Sequence, residues 1–172
     1  LLVTETIVSG LSGVAVLARH AGAGLNVVDI GLDGDLDREG IINRKIRKGT
    51  SNFLNGPAMS REEAVQAITT GIEITNLAID EGATLIGTGE VGIGNTTTSS
   101  AVLYAFTGTD LDMIVGRGAG LSDEGLFKKK DVIKKGFEFN KPDPSDAIDV
   151  LAKVGGFDIA GLTGVYLAAA SR

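Results

Sequence analysis

Apolar positions along this chain switch between helical and strand spacing. Over residues 4–20, Ile7, Leu11, Val14, Ala15 and Ala18 recur at nearly helical intervals, and Gly22 and Gly24 stop that run. Residues 25–30 are largely apolar and predict a strand that delivers Asp29 to its carboxyl end. Residues 41–46 predict a short edge element blunted by Arg44 and Lys45. Ser60 with Glu63 three positions on is a capping box. The helix it opens turns Ala64, Ala67, Ile68, Gly71, Ile72, Thr75, Ala78 and Ile79 inward, and it breaks at Gly82. Residues 83–86, flanked by glycines, predict a buried parallel strand, and residues 96–107 an apolar helix ended by Gly108. A further strand is expected over 112–116. Helices are then expected after Ser122, over 145–153 with Ser145 or Asp143 as cap, and beyond the break at Gly155 and Gly156. Strands alternating with helices define the expected fold as α/β, an open, mostly parallel Rossmann-like sheet with flanking helices, in one domain over 1–172.

The remaining composition narrows the function classes. The chain has 172 residues and a net charge of −6, which argues against a general nucleic-acid surface. With no cysteine there is neither disulfide nor thiolate metal site, and one histidine, His20, argues against a transition-metal centre, so no cofactor is expected. His20 fits a surface position near a helix C-terminus. Asp33, Asp35 and Asp37 read as a solvated acidic loop, since their spacing is not that of a calcium loop. No apolar run of transmembrane length and no signal pattern is read, so no membrane partner is expected and the cytoplasm fits. The sequence starts Leu1-Leu2-Val3 and ends inside an apolar helical pattern, and the expectation is a central segment of a longer chain.

Chemistry concentrates in the stretch 87–100. Gly87, Gly89, Gly92 and Gly94 lie in a turn leading into a helix, where free N–H groups and the positive end of the helix dipole favour an anion. Glu90 sits inside that turn. An acid there repels an anion unless it serves another part of the substrate. The G-x-G-x-x-G spacing of Gly87, Gly89 and Gly92 also fits a dinucleotide fingerprint, but no acid follows at the end of the next strand, and no lysine follows as a P-loop requires. A second glycine-rich turn carries Gly116, Arg117 and Gly118. Arg117 there is either a phosphate fork or a surface charge. The helix after it gathers Lys128, Lys129, Lys130, Lys134 and Lys135, and one of these reaching a phosphate is consistent with the pattern. Asp158 reads as an N-terminal helix cap.

Residues 89–97, Gly-Glu-Val-Gly-Ile-Gly-Asn-Thr-Thr, closely resemble the loop of the nicotinate-nucleotide–dimethylbenzimidazole phosphoribosyltransferases. Collinear blocks at 28–31, 49–52, 56–60, 116–118, 149–158 and 161–164 extend the resemblance over nearly the whole chain. It implies displacement of nicotinate from nicotinate mononucleotide by 5,6-dimethylbenzimidazole or a related base, giving α-ribazole 5′-phosphate. It implies Glu90 as catalytic carboxylate and Gly92, Gly94, Asn95, Thr96, Gly118, Lys129 and Gly156 as substrate-binding positions, with Lys129 matching the family's phosphate lysine. A homodimer is implied as well. The family's Ala-Asp-His-Gly-type and Gly-Glu-Gly motifs, the latter bearing the general base, are not in this sequence, which implies weak or no activity for the segment alone. Thr98 stands where the family commonly has proline. The rival expectation is a nucleotide-binding paralogue or subunit that does no transfer.

Overall fold

A computed structural model describes residues 2–172, which form two compact units, one through Gly49 and one spanning Thr50–Arg172. The first unit holds α1 (Leu2–Val8), α2 (Gly13–Ala21), β1 (Val27–Asp29) and β2 (Ile41–Asn43). The single helix expected over 4–20 is therefore two. Gly10 takes a left-handed φ of 76°, and Ser12 caps the new start by accepting from the Ala15 N–H at 3.2 Å. The same break bears on membranes. By length and composition Leu2–Ala21 is apolar enough to cross one, with mean hydropathy 1.4, contrary to the expectation that no such run exists. Its backbone, however, is interrupted at Gly10, and bilayers favour an unbroken ladder.

The strands β1 and β2 pair in parallel, Val27 with Ile41 and Asp29 with Asn43. Asp29 is buried at the end of β1, where it accepts from the Gly31 and Leu32 N–H groups at 3.1 and 2.8 Å and pairs with Lys45 at 3.2 Å. Those bonds hold the turn after the strand, so its carboxylate is fully engaged. Asp35 pairs with Lys48 at 2.8 Å, and that neighbouring ammonium holds its carboxyl below the ordinary carboxylate range.

The second unit is built from α3 (Arg61–Asp80), α4 (Asn95–Thr107), α5 (Leu111–Ile114), α6 (Asp123–Asn140), α7 (Ala147–Val154) and α8 (Phe157–Ser171). The Ser60 box closes α3 as expected: Ser60 Oγ accepts from the Glu63 N–H at 3.1 Å, and Glu63 accepts from the Ser60 N–H at 2.8 Å. Helices α3 and α8 meet backbone to backbone. A Cβ on Gly71 would overlap the Gly161 carbonyl, and one on Gly164 would overlap the Ile68 carbonyl. Ala101, Ala105, Val115, Ile133, Val150 and Val154 form the core joining α4, α6 and α7, with Tyr104 edge-on to Phe137 at 4.9 Å. The loop before α3 docks on the end of α7, where the Ala58 and Met59 N–H groups reach the Lys153 and Ala152 carbonyls at 3.2 and 2.9 Å.

The fold class is α/β with parallel pairing, but among the described residues the sheet has two strands. Residues 83–86 are not a buried strand. They run without regular structure and leave Leu85 91% exposed, because no neighbouring strand offers a hydrogen-bond ladder. Residues 112–116 are not a strand either. Asp110 accepts from the Asp112 N–H at 2.9 Å and starts the short helix α5, leaving only Val115 buried and extended. The cap of α7 is Asp146 rather than Ser145 or Asp143. It accepts from the Ile148 and Asp149 N–H groups, both at 3.1 Å, while Asp143 is engaged by Ser145.

Candidate functional site

Side chains cap α2, α3, α5, α6 and α7, namely Ser12, Ser60, Asp110, Ser122 and Asp146. The helices α4 and α8 instead start from Gly94 and Gly156, with no side-chain cap. The sequence supplies these starts directly, since glycine at 94 accepts the left-handed φ of 88° that turns the loop into the helix. The first turn of α4 has no acid, and part of its N–H complement turns inward: Asn95 N–H to the Gly92 carbonyl at 3.0 Å, Thr97 N–H to that of Gly94 at 2.8 Å. A helix start of this kind favours an anion. Thr98, in the place of the expected proline, returns its hydroxyl to the Asn95 carbonyl at 2.9 Å and so ties the same turn.

On one flank of that start lies Lys129, carried by α6 and only 7% exposed. Its ammonium donates to Thr96 Oγ1 at 2.8 Å and to the Gly116 carbonyl at 3.0 Å. Burial pushes its pKa down, because these neutral acceptors replace water only in part. Gly118 follows in the second glycine turn at φ 57°, and a Cβ there would stand 2.9 Å from Thr96 Oγ1 and 3.7 Å from Lys129 Nζ. Space beside the ammonium therefore depends on that glycine. Arg117 does not turn toward this point. Its guanidinium closes its own loop on the Leu121 carbonyl at 2.8 Å and on the Asp123 carboxylate.

On the other flank lie two carboxylates. Glu90 is exposed and accepts from the Gly92 N–H at 2.5 Å. Asp158, in the first turn of α8, accepts from Asn95 Nδ2 at 2.6 Å, while Ser99 Oγ donates to Asn95 Oδ1 at 3.0 Å. A Cβ on Gly92 would overlap Asp158 Oδ2 and stand 3.1 Å from Glu90 Oε2. One on Gly156 would overlap Asp158 Oδ1 and stand 3.7 Å from Thr98 Oγ1. The geometry thus gathers Glu90, Gly92, Gly94, Asn95, Thr96, Gly118, Lys129 and Gly156 around one helix start. It adds Asp158, expected only as a cap. Gly156, two positions earlier, leaves the carboxylate space that a Cβ would take.

The arrangement is open, with Ile93 99% exposed at the loop tip. Two shallow hollows elsewhere are lined by Ile7, Val8, Arg19 and Gly40 in the first unit and by Arg61, Glu62, Val65 and Gln66 at the start of α3. Among the described residues no group of three or more His, Asp or Glu is placed to hold a metal ion. Chemically, the site offers N–H groups and an ammonium on one flank and carboxylates on the other. That polarity suits a ligand with an anionic end and a centre that becomes cationic.

A family model described as phosphoribosyltransferase (DBI_PRT) matches residues 2–172. The nicotinate-nucleotide–dimethylbenzimidazole phosphoribosyltransferase of Ruminiclostridium cellulolyticum is 57% identical over 169 residues, covering 98% of this chain and 48% of that protein. The enzyme of the same name from Acetivibrio thermocellus is 52% identical, again over 98% and 48% of the two chains. The crystal structure of CobT from Thermus thermophilus superposes with a TM-score of 0.93 at 35% identity, covering 99% of this chain and 51% of that one. The chain therefore spans about half the length of the curated relatives it matches.

Proposed function

This chain belongs to the phosphoribosyltransferase family, and we propose that it carries the mononucleotide site of an enzyme that transfers phosphoribose from nicotinate mononucleotide to 5,6-dimethylbenzimidazole or a related base. The observation that supports this most is the flanking of the α4 start by the buried ammonium of Lys129 and the carboxylate of Glu90. In this reading the 5′-phosphate lies against Gly94, Asn95, Thr96 and Gly118, with Lys129 as its counter-charge. The ribose then faces Glu90. As the C1′–N bond to nicotinate breaks and its electron pair leaves with nicotinate, positive charge grows on the sugar, and a fixed carboxylate stabilises it. The ring nitrogen of the incoming base forms the new bond to C1′, and its N–H proton passes to a general base. The resemblance assigns that base to a Gly-Glu-Gly motif outside this sequence, so Glu90 acts here on the sugar.

The same reading includes a homodimer, which rests on the resemblance, and the cytoplasmic location expected from the sequence. The test is direct. Full-length protein is incubated with nicotinate mononucleotide and 5,6-dimethylbenzimidazole, and chromatography follows nicotinate and α-ribazole 5′-phosphate. Equal release of the two products is expected. Mononucleotide binding with no transfer would replace this reading with that of a non-catalytic nucleotide-binding paralogue.

A further inference from the structure

We propose that Asp158 is a positioning residue of the mononucleotide site, acting through Asn95; this role rests on the reading above. Asn95 is the first residue of α4, and its amide is held at both ends: Nδ2 donates to Asp158 Oδ2 at 2.6 Å, and Oδ1 accepts from Ser99 Oγ at 3.0 Å. Ser99 lies on the same helix as Asn95, one turn on. Asp158 is the only one of the two partners that belongs to another element, and it ties the direction in which the amide faces to the start of α8. Charge-assisted hydrogen bonds of this length are among the stronger ones available to a side chain.

Asp158 is not acting as a cap for its own helix, since α8 starts at Gly156 without a side-chain cap bond. Its carboxylate instead fills the space over two glycines. A Cβ on Gly92 would overlap one of its oxygens and a Cβ on Gly156 the other. Gly92 is also the residue whose N–H holds Glu90, at 2.5 Å. The one carboxylate thus sets the Asn95 amide and packs against the residue that sets Glu90. Turning it away would free the Asn95 amide, while Glu90 keeps its own bond from the Gly92 N–H.

The test is a double-mutant cycle in the full-length protein, using Asn95→Ala, Asp158→Asn, Asp158→Ala and the Asn95→Ala/Asp158→Ala pair. Kinetics are measured with nicotinate mononucleotide and 5,6-dimethylbenzimidazole, and melting is followed alongside. Loss of ground-state binding raises KM while leaving kcat unchanged. Asn95→Ala and Asp158→Ala are each expected to raise KM for the mononucleotide about tenfold, the size of one lost hydrogen-bonded contact, with kcat and the KM for the base near wild type. The pair is expected to be no worse than the poorer single variant, as residues acting in series require. Asp158→Asn, which keeps an acceptor oxygen, is expected to recover part of the loss. Penalties that multiply to about a hundredfold in the pair would overturn the role through Asn95 while leaving the transfer reading intact. Absence of transfer by the wild-type protein would instead remove the reading on which the role rests. Should Asp158→Ala fold poorly, Asp158→Glu decides. A longer arm moves the carboxylate off its 2.6 Å bond from Asn95 Nδ2, so a wild-type KM in that variant would overturn the proposal.

Discussion

Lys129 is the residue whose replacement separates stability from binding most clearly. Its ammonium is buried, and its polar contacts are the Thr96 hydroxyl and the Gly116 carbonyl, both neutral. Each hydrogen bond from a charged donor contributes about 1.5–3 kcal/mol, whereas withdrawing an ammonium from water costs several kcal/mol. The two nearly cancel. Lys129→Met keeps the length and volume of the arm and removes both contributions, so ligand-free stability is expected to change by only about 1 kcal/mol, or about 2 °C or less in the melting temperature of the longer full-length protein. Binding responds differently. Loss of one charged contact to a phosphate, about 1.5–3 kcal/mol, weakens nicotinate mononucleotide about 10- to 100-fold. Burial also sets a pH dependence. It lowers the folded-state pKa of Lys129 below 10.5, so between that lowered value and 10.5 the unfolded chain binds more protons than the folded one. Wild-type stability from this group therefore rises with pH through that window, and Lys129→Met abolishes the rise. Calorimetric titration and thermal melting of the full-length protein, with and without mononucleotide, read all three effects. A Lys129→Met protein that binds the mononucleotide as tightly as wild type would refute the phosphate role. One that melts more than about 8 °C lower without ligand would refute the energetic balance.

Three other outcomes are expected. Glu90→Gln keeps the shape of an exposed side chain and is expected to lower kcat about 10²- to 10³-fold at unchanged melting temperature; full turnover by this variant in the chromatographic assay would remove Glu90 from the chemistry. Gly164→Ala places a methyl group on the Ile68 carbonyl, forcing α3 and α8 apart, and is expected to cost about 1–3 kcal/mol in denaturant unfolding; a neutral result would mean that the helices shift freely. Asp146 has its carboxyl held below its ordinary value, first by the Arg61 guanidinium at 2.7 Å and then by the Asp149 N–H. Its contribution is therefore present above the unfolded pKa of about 3.9 and is lost as pH falls through the lower folded value, so Asp146→Asn should flatten the acid limb of a melting-versus-pH curve. An unchanged acid limb would show that the pair carries no such dependence.

Local signals were legible wherever a short stretch decides its own structure. The Ser60–Glu63 box, the Ser122 cap and the left-handed glycines at 22, 94 and 108 each stand where the sequence places them. Strands were less legible, because a strand is defined by a neighbour and not by its own residues. Residues 83–86 have a strand's composition and lack a partner, while residues 111–114 were claimed by the Asp110 cap. Helix α1 and helix α2 looked continuous because periodicity does not register one glycine that turns left-handed. At the site, the glycine loop, Glu90 and Asn95 were legible as a local motif, and Lys129 came from the resemblance. Asp158 was not legible as a partner of the loop, since Asn95 lies 63 positions away and only the tertiary fold brings the two together.

The central claim is that the start of α4, between Lys129 and Glu90, receives a nucleotide's phosphoryl end with its sugar toward the carboxylate. A crystal structure of the full-length protein with nicotinate mononucleotide measures this most directly. The phosphoryl oxygens are expected within hydrogen-bond distance of Lys129 Nζ and of the Gly94 and Thr96 N–H groups, with C1′ facing Glu90. A mononucleotide bound elsewhere, or bound with its ribose toward Lys129 and its phosphate in solvent, would contradict the account.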